Sequence, residues 1–186
     1  MGKVIILGDS PFLKEIEDRV NYVTNKYFTL GINRVINYFH ISKHIFTDFT
    51  MLGCTNNFYY IPAITLYSYG DLVRKEKKEL INTFTYAGDE KTEKNGELAW
   101  CGFTHDYALS YCIMKGYDEV VLIGAADFTG EGHYSTPAEF RRSQKLQDNS
   151  IKFIEDVCTK HLKISTCNPN SKLSVPRVSI DELLLD

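Results

Sequence analysis

Lys3-Val4-Ile5-Ile6-Leu7-Gly8-Asp9-Ser10-Pro11-Phe12-Leu13-Lys14-Glu15-Ile16 is the stretch that decides the fold. Lys3 to Leu7 is a nearly continuous apolar run rich in β-branched side chains, the pattern of a strand buried on both faces. Gly8-Asp9 ends that run in a tight turn. Ser10 is a favourable N-cap, and Pro11 suits a first helical position. Phe12, Leu13, Ile16 and Val20 then recur at helical spacing. The chain therefore opens strand–turn–helix.

The alternation continues downstream. Phe28–Ile32 reads as a second strand that stops at Asn33-Arg34, His44–Phe49 as a third, and Ile61–Tyr67 as a fourth extended piece. Asp71–Leu80 reads as a charged, exposed helix, and Ala87–Glu97, mixing glycine with charge, as a loop. Cys101–Lys115 predicts a helix stopped by a C′ glycine, Gly116. Glu119–Ile123 is the clearest strand after the first, and Gly124 breaks it. Pro137–Leu162 carries a long helical pattern with Phe140, Leu146, Ile151, Ile154 and Val157 on its apolar face. Leu162–Ser165 reads as a short strand and Ser179–Leu185 as a last helical turn or two. Buried-type strands alternating with helices predict an α/β fold: one doubly wound, mostly parallel sheet with helices on both faces, Rossmann-like. With no internal repeat or low-complexity tract, residues 1–186 read as a single domain.

Composition narrows the function classes. The 186 residues carry 21 Lys+Arg against 24 Asp+Glu, a net charge of −3, with 44% hydrophobic and 13% aromatic residues. That content builds a core and excludes disorder. The acidic balance argues against a general nucleic-acid binder. No apolar stretch approaches the roughly 18 residues of a membrane span. The apolar part of the N-terminus is too short for a signal peptide, and Ile6 stands where a myristoylation motif wants Ser or Thr. The 5 cysteines form no C-x-x-C unit, and their spacing with histidine shows no zinc pattern. Reduced thiols and a cytoplasmic location are the expectation. Whether the chain forms a homo-oligomer is left open.

In an open parallel α/β sheet, ligands bind beyond the carboxyl ends of the strands. That rule selects four polar clusters: Gly8, Asp9, Ser10 and Pro11; Gly31, Asn33 and Arg34; Asp48 and Thr50; and Gly124, Asp127, His133 and Tyr134. The Gly8–Pro11 turn leads into a helix N-terminus, which favours phosphate, although the full G-x-G-x-x-G pattern is absent. Asp9 repels phosphate and fits a ribose hydroxyl, an amino group or a metal-bound phosphate; an Asx-turn is the structural alternative. Asp127 is placed to hold a ribose, a base amine or Mg²⁺. His133, in a glycine-flanked segment, is a candidate acid or base or else an exposed loop histidine. His105, beside Thr104 near a helix start, is a second candidate, whereas His40, His44 and His161 read as surface or core residues. Gly8-Asp9-Ser10 also matches the opening of the SGNH, or GDSL-type, ester hydrolases. Those enzymes need a D-x-x-H unit near the C-terminus, and here Asp156 and His161 are too far apart.

Taken in order, the motifs resemble the bacterial CMP-sialic-acid-dependent sialyltransferases of the small Rossmann-like type and the related MptE-like (domain of unknown function 115) proteins. VIILGDSPFLKEIE is similar to their strand–GNGPSL–helix start, with Asp9 where they carry Asn. FTLGINRV resembles their second strand, so Asn33 matches a nucleotide-contacting Asn, and Phe46-Thr47-Asp48 resembles the third strand end. THDYALSYCIMKGYDEVVLIGAADF resembles a block in which Thr104 falls on a nucleotide-binding Ser and Asp127 on the Asp of GIDF. SIKFIEDVCTKHLKISTCNPNSKLS resembles their closing helix–strand–CPNSLL segment.

The resemblance implies a nucleotide or nucleotide-sugar as partner, held by Gly8, Asp9, Ser10, Asn33 and Thr104, with Asp48 and Asp127 on ribose, sugar or metal. It implies glycosyl transfer in which His133 or His105 deprotonates the acceptor. Tyr134, Arg141 and Arg142 would then stabilise the departing phosphate. The family's catalytic histidine falls on or near Arg142, and its Gly after the nucleotide-binding Ser is His105. MptE-like pyrophosphoryl transfer with Mg²⁺ on the aspartates, and a module that captures a nucleotide without chemistry, are the alternatives.

Overall fold

In chain order the strands are β1 (Lys3–Leu7), β2 (Phe28–Ile32), β3 (Lys43–Phe46), β4 (Ala63–Thr65), β5 (Ile81–Thr83), β6 (Thr85–Tyr86), β7 (Glu97–Leu98), β8 (Glu119–Ile123) and β9 (Lys163–Thr166). The α-helices are α1 (Leu13–Lys26), α2 (Thr104–Met114), α3 (Gln144–Lys152) and α4 (Ile180–Leu185). The computed structural model describes residues 2–46, 63–65, 81–83, 85–86, 97–98, 103–129, 134 and 144–186. Seven strands form one sheet in the order β5-β4-β3-β2-β1-β8-β9. Every neighbouring pair in it is parallel. β6 and β7 pair separately, also in parallel.

The strand order places the point where the winding reverses. From β1 the chain winds outward through β2, β3, β4 and β5, then returns to β8 on the other flank of β1. The direction of winding reverses between β1 and β8, and the crevice beyond their carboxyl ends is the topological switch point. Lys3–Leu7 and Glu119–Ile123 are thus central, parallel and buried, as their apolar runs predict.

Alternation along those strands builds two cores. Val4, Ile6, Val120 and Leu122 face one side, against α2 and the Phe153–Leu162 segment. Ile5, Leu7, Val121 and Ile123 face the other, against α1 and α4. Val4, Ile5, Ile6 and Leu7 are all 0% exposed, and each such side chain stabilises by about 1.5–3 kcal/mol. α2 is buried from Thr104 through Cys112. It ends in a Schellman motif: Gly116, at φ 71°, and Tyr117 donate to Ile113 O (3.0 Å) and Cys112 O (3.1 Å).

Two sequence expectations change. α1 starts at Leu13, so Ser10 and Pro11 belong to the turn, where Phe12 N–H donates to Ser10 Oγ at 3.3 Å. The long helix expected over 137–162 is, in its described part, α3 followed by a π-turn at Phe153–Val157 and a 3₁₀ turn at Cys158–Lys160. β2 is followed by a 3₁₀ turn, Asn33–Asn37. The helix expected at 71–80 lies outside the described residues.

Among the described glycines, Gly8 has the closest surroundings. A Cβ there would stand 2.2 Å from Gly124 O and 2.7 Å from Ala125 Cα, both backbone atoms. Gly8→Ala should therefore lower stability by at least the ~1–3 kcal/mol of ordinary overpacking. Urea unfolding measures it. A loss below about 0.5 kcal/mol, the range of neutral surface substitutions, would contradict this packing.

Candidate functional site

Two backbone hydrogen bonds join the turns at the switch point. Gly8 N–H donates to Ile123 O (2.9 Å) and Ser10 N–H to Gly124 O (3.0 Å). The turn after β8 is tightly contorted: Gly124, Ala126 and Phe128 have φ of 61°, 56° and 55°. A left-handed conformation costs a residue with a side chain on the order of 1–3 kcal/mol, so Ala126 and Phe128 hold it only because the surroundings impose it. Lys172 N–H donates to Asp127 O (3.1 Å) and Cys167 N–H to Leu122 O (2.9 Å), which fasten the segment after β9 to the same turn.

Asp127 sits between these segments, 4% exposed. Burial raises its pKa above the ordinary carboxylate value, and Asn168, Ser10 and Arg177 pull the other way. No donor among the described residues reaches either carboxylate oxygen in hydrogen-bonding geometry. Asn168, 3% exposed, accepts from Asn170 N–H at 2.9 Å through Oδ1. The Arg177 guanidinium donates to the carbonyls of Ser171 and Leu173, both at 2.8 Å, and of Val175. Asn168 and Arg177 escaped the sequence reading, although Asn168 follows a strand as Asp127 does.

A second group of side chains gathers after β2. Asn33 has φ 52°, and Thr104 Oγ1 donates to its Oδ1 at 3.2 Å. His44 Nε2 donates to Asn33 O at 2.6 Å, which fixes the tautomer because a carbonyl only accepts. Burial holds the His44 pKa down at about 4, so the ring is neutral and belongs to the core. The two groups meet through rings on either side of Thr104. Phe103 and His105 stack at 5.0 Å, and Phe128 packs edge-on to both, at 5.5 and 5.3 Å. Thr104 and Asp127 therefore flank one aromatic cluster.

His105 does not have the placement of an acceptor base. It is 6% exposed, and its Nε2 donates to Ser150 Oγ at 3.0 Å. Ser150 in turn donates to Asp106 Oδ1, while Asp106 Oδ2 accepts from Phe103 N–H at 3.0 Å. The network ties α3 to the first turn of α2. Burial lowers the His105 pKa to about 3, so the ring is neutral and its Nε2 is committed within the core. Tyr134 is fastened to the turn through its N–H on Asp9 O at 2.8 Å. Its ring packs against Tyr38 (5.1 Å) and Phe39 (5.6 Å). Burial and the Glu17 carboxylate raise its phenol to about 12, so it acts near neutral pH as a donor.

Asp48, His133, Arg141 and Arg142 lie outside the described residues. Among the described residues no group of three or more His, Cys, Asp or Glu side chains is placed to hold a metal ion. No described helix is long and apolar enough to cross a membrane. Cys112, Cys158 and Cys167 are buried thiols, and burial raises the Cys112 and Cys167 pKa.

No family model matches the chain, and no curated protein matches it. Among solved structures it is similar to the MAf glycosyltransferase from Magnetospirillum magneticum AMB-1, with a TM-score of 0.67 at 10% sequence identity. The likeness covers 96% of this chain and 34% of the other, so the chain spans about a third of that protein's length. At this identity the likeness establishes the α/β fold.

The two buried histidines set an acid sensitivity. Their folded pKa values, about 4 and about 3, lie below the ordinary 6.5. Between those limits the unfolded chain binds protons that the folded chain refuses. Stability present at pH 7 is thus lost as pH falls below about 6.5, at about 1.4 kcal/mol per pH unit for each group. Asp127, raised, is protonated first in the folded chain and offsets part of the loss. Denaturant unfolding of His105→Gln should show a shallower decline by about one proton. A slope equal to that of the unmodified chain would contradict the neutral, buried ring.

Proposed function

We propose that the chain binds a nucleotide-sugar across the carboxyl ends of β1, β2 and β8 and acts as a glycosyltransferase-type domain. The observation that carries this reading is the common edge shared by Ser10, Asn33, Thr104 and Asp127, with Thr104 and Asn33 hydrogen-bonded at 3.2 Å. Its fold likeness to a protein described as a glycosyltransferase supports the same class. The N–H groups at the start of α2 suit phosphate, whereas those of Gly8 and Ser10 are held by Ile123 O and Gly124 O. The carboxylate of Asp127 suits hydroxyl groups. His133 takes the role of acceptor base, with Arg141 and Arg142 on the departing phosphate. A nucleotide-capturing module without transfer is the second reading, favoured by the burial of His105, the described base candidate.

A thermal-shift series with CMP, UDP, GDP, ATP and their sugar conjugates, with and without Mg²⁺, tests binding. A true ligand at about 100 times its dissociation constant should stabilise by roughly 2.7 kcal/mol. No shift with any of them would remove the reading. If a conjugate binds and is consumed, His133→Ala should cost on the order of 10²–10⁴ in turnover while leaving affinity nearly unchanged. Binding with no donor consumed selects the capture module. A response confined to nucleotides with Mg²⁺ selects pyrophosphoryl transfer.

A further inference from the structure

Tyr38 is an exposed ring at the carboxyl edge of the sheet. It is 43% exposed, whereas Phe39 beside it is 6% exposed. It closes the 3₁₀ turn that follows β2, with its N–H on Val35 O at 3.0 Å. The other large hydrophobic side chains exposed among the described residues stand elsewhere: Tyr22 on α1, Phe28 at the start of β2 and Leu185 at the end of α4. The Tyr38 ring meets that of Tyr134 at 5.1 Å and 62°, and Phe39 meets Tyr134 at 5.6 Å and 58°. Rings at such angles form a corner rather than a stack, so Tyr38 keeps ring surface for another molecule. The corner is fixed to the turn after β1, because Tyr134 N–H donates to Asp9 O at 2.8 Å. Carboxylates surround its phenol. Tyr134 Oη donates to Glu17 of α1 and feels the charge of Asp9, and no Lys or Arg is among the described groups that act on it.

That chemistry selects the occupant. Aromatic faces suit the C–H face of a pyranose, and a phenol and a carboxylate suit its hydroxyl groups, which donate and accept. An anion is repelled by Glu17 and Asp9. We infer that Tyr38, Tyr134 and Glu17 bind the acceptor of the transfer, an uncharged sugar ring. This rests on the glycosyltransferase reading above and adds the second substrate to it. Tyr134 thereby acts on the acceptor rather than on the departing phosphate. The acceptor enters from the α1 side, where Phe39 and Tyr134 pack, and the phosphate lies toward α2 on the other side of the sheet. In the transfer the acceptor oxygen bonds to the anomeric carbon of the donor. The bond from that carbon to the phosphate oxygen breaks, its electron pair leaves on the phosphate, and the hydroxyl proton passes to His133.

The test is saturation-transfer NMR titration at low ionic strength, where exposed charges act furthest. The probes are the methyl glycosides of glucose, galactose, mannose and N-acetylglucosamine, their uronic-acid forms, and tetramethylammonium. Each is titrated with and without the nucleotide that gives the largest thermal shift. At least one uncharged glycoside should bind, with nucleotide present or absent. Tyr38→Ala should weaken it about 10-fold or more, and Tyr38→Phe, which keeps the ring, should restore most of the loss. The uronic-acid form should bind about 2- to 5-fold more weakly, and Glu17→Gln should narrow that gap. Nucleotide affinity should not change in Tyr38→Ala, whose side chain is exposed and whose replacement leaves the core intact. The inference is overturned if no glycoside binds, if Tyr38→Ala binds glycoside as before, or if the uronic-acid form binds tighter. Binding of tetramethylammonium in place of the sugars overturns it by making the corner a cation site. Loss of nucleotide affinity in Tyr38→Ala overturns it by assigning the ring to the base. In each of these cases nucleotides still bind the unmodified chain and the proposed function stands. Glycoside binding with no nucleotide binding removes the proposed function, and the acceptor role with it.

Discussion

The backbone of Gly8 runs directly against that of Gly124, and the rest of the structure follows from that contact. Gly8 N–H donates to Ile123 O, and Ser10 N–H to Gly124 O. A side chain at position 8 would collide with peptide atoms that have nowhere to move. The contact lets β1 and β8 pair along their full lengths, from Lys3 opposite Glu119 to Leu7 opposite Ile123. It also sets the two turns side by side where the winding reverses. The left-handed residues that follow Gly124 turn Asp127 back into the protein, where the segment after β9 encloses it.

The parts of the fold legible in the sequence are those where burial leaves a period. β1 and β8 are apolar on both faces, and an uninterrupted Val/Ile/Leu run has few other readings. Gly116 marks the end of α2 because that turn needs a positive φ. The start of α1 was harder to place. Ser10 and Pro11 have the chemistry of a helix start, yet the close approach to Gly124 keeps them in the turn and delays the helix to Leu13. The π-turn at Phe153–Val157 was invisible, because an apolar face at helical spacing continues across it. β5, β6 and β7 span 3, 2 and 2 residues, too short for alternation to register.

The placement of the candidate residues was legible wherever position along the chain alone decides it. Asp127 follows a strand, and so do Asn33 and Ser10; the strand-end rule finds them all. Thr104 depended on a family resemblance, and its bond to Asn33 joins residues 71 apart in the chain. His105 illustrates the opposite case. Next to Thr104 it looked placed for catalysis, but α2 is buried nearly all round, and its polar side chains bond to one another and to Ser150. The residues THDYALSYC hold that signal: a helix with apolar side chains on every side is a buried helix. Asn168 and Arg177 follow β9, the shortest of the strands expected from sequence, and so drew no attention.

Amide hydrogen exchange with and without the nucleotide-sugar that gives the largest thermal shift tests the central claim most directly. The claim is that ligand binds where β1 and β8 end. Added protection should appear at Gly8–Ser10, at Asn33 and across Gly124–Phe128, while the opposite edge, around Phe28 and Tyr117, stays unchanged. Protection confined to that opposite edge, or absent from both turns of the switch point while the ligand is bound, would contradict it.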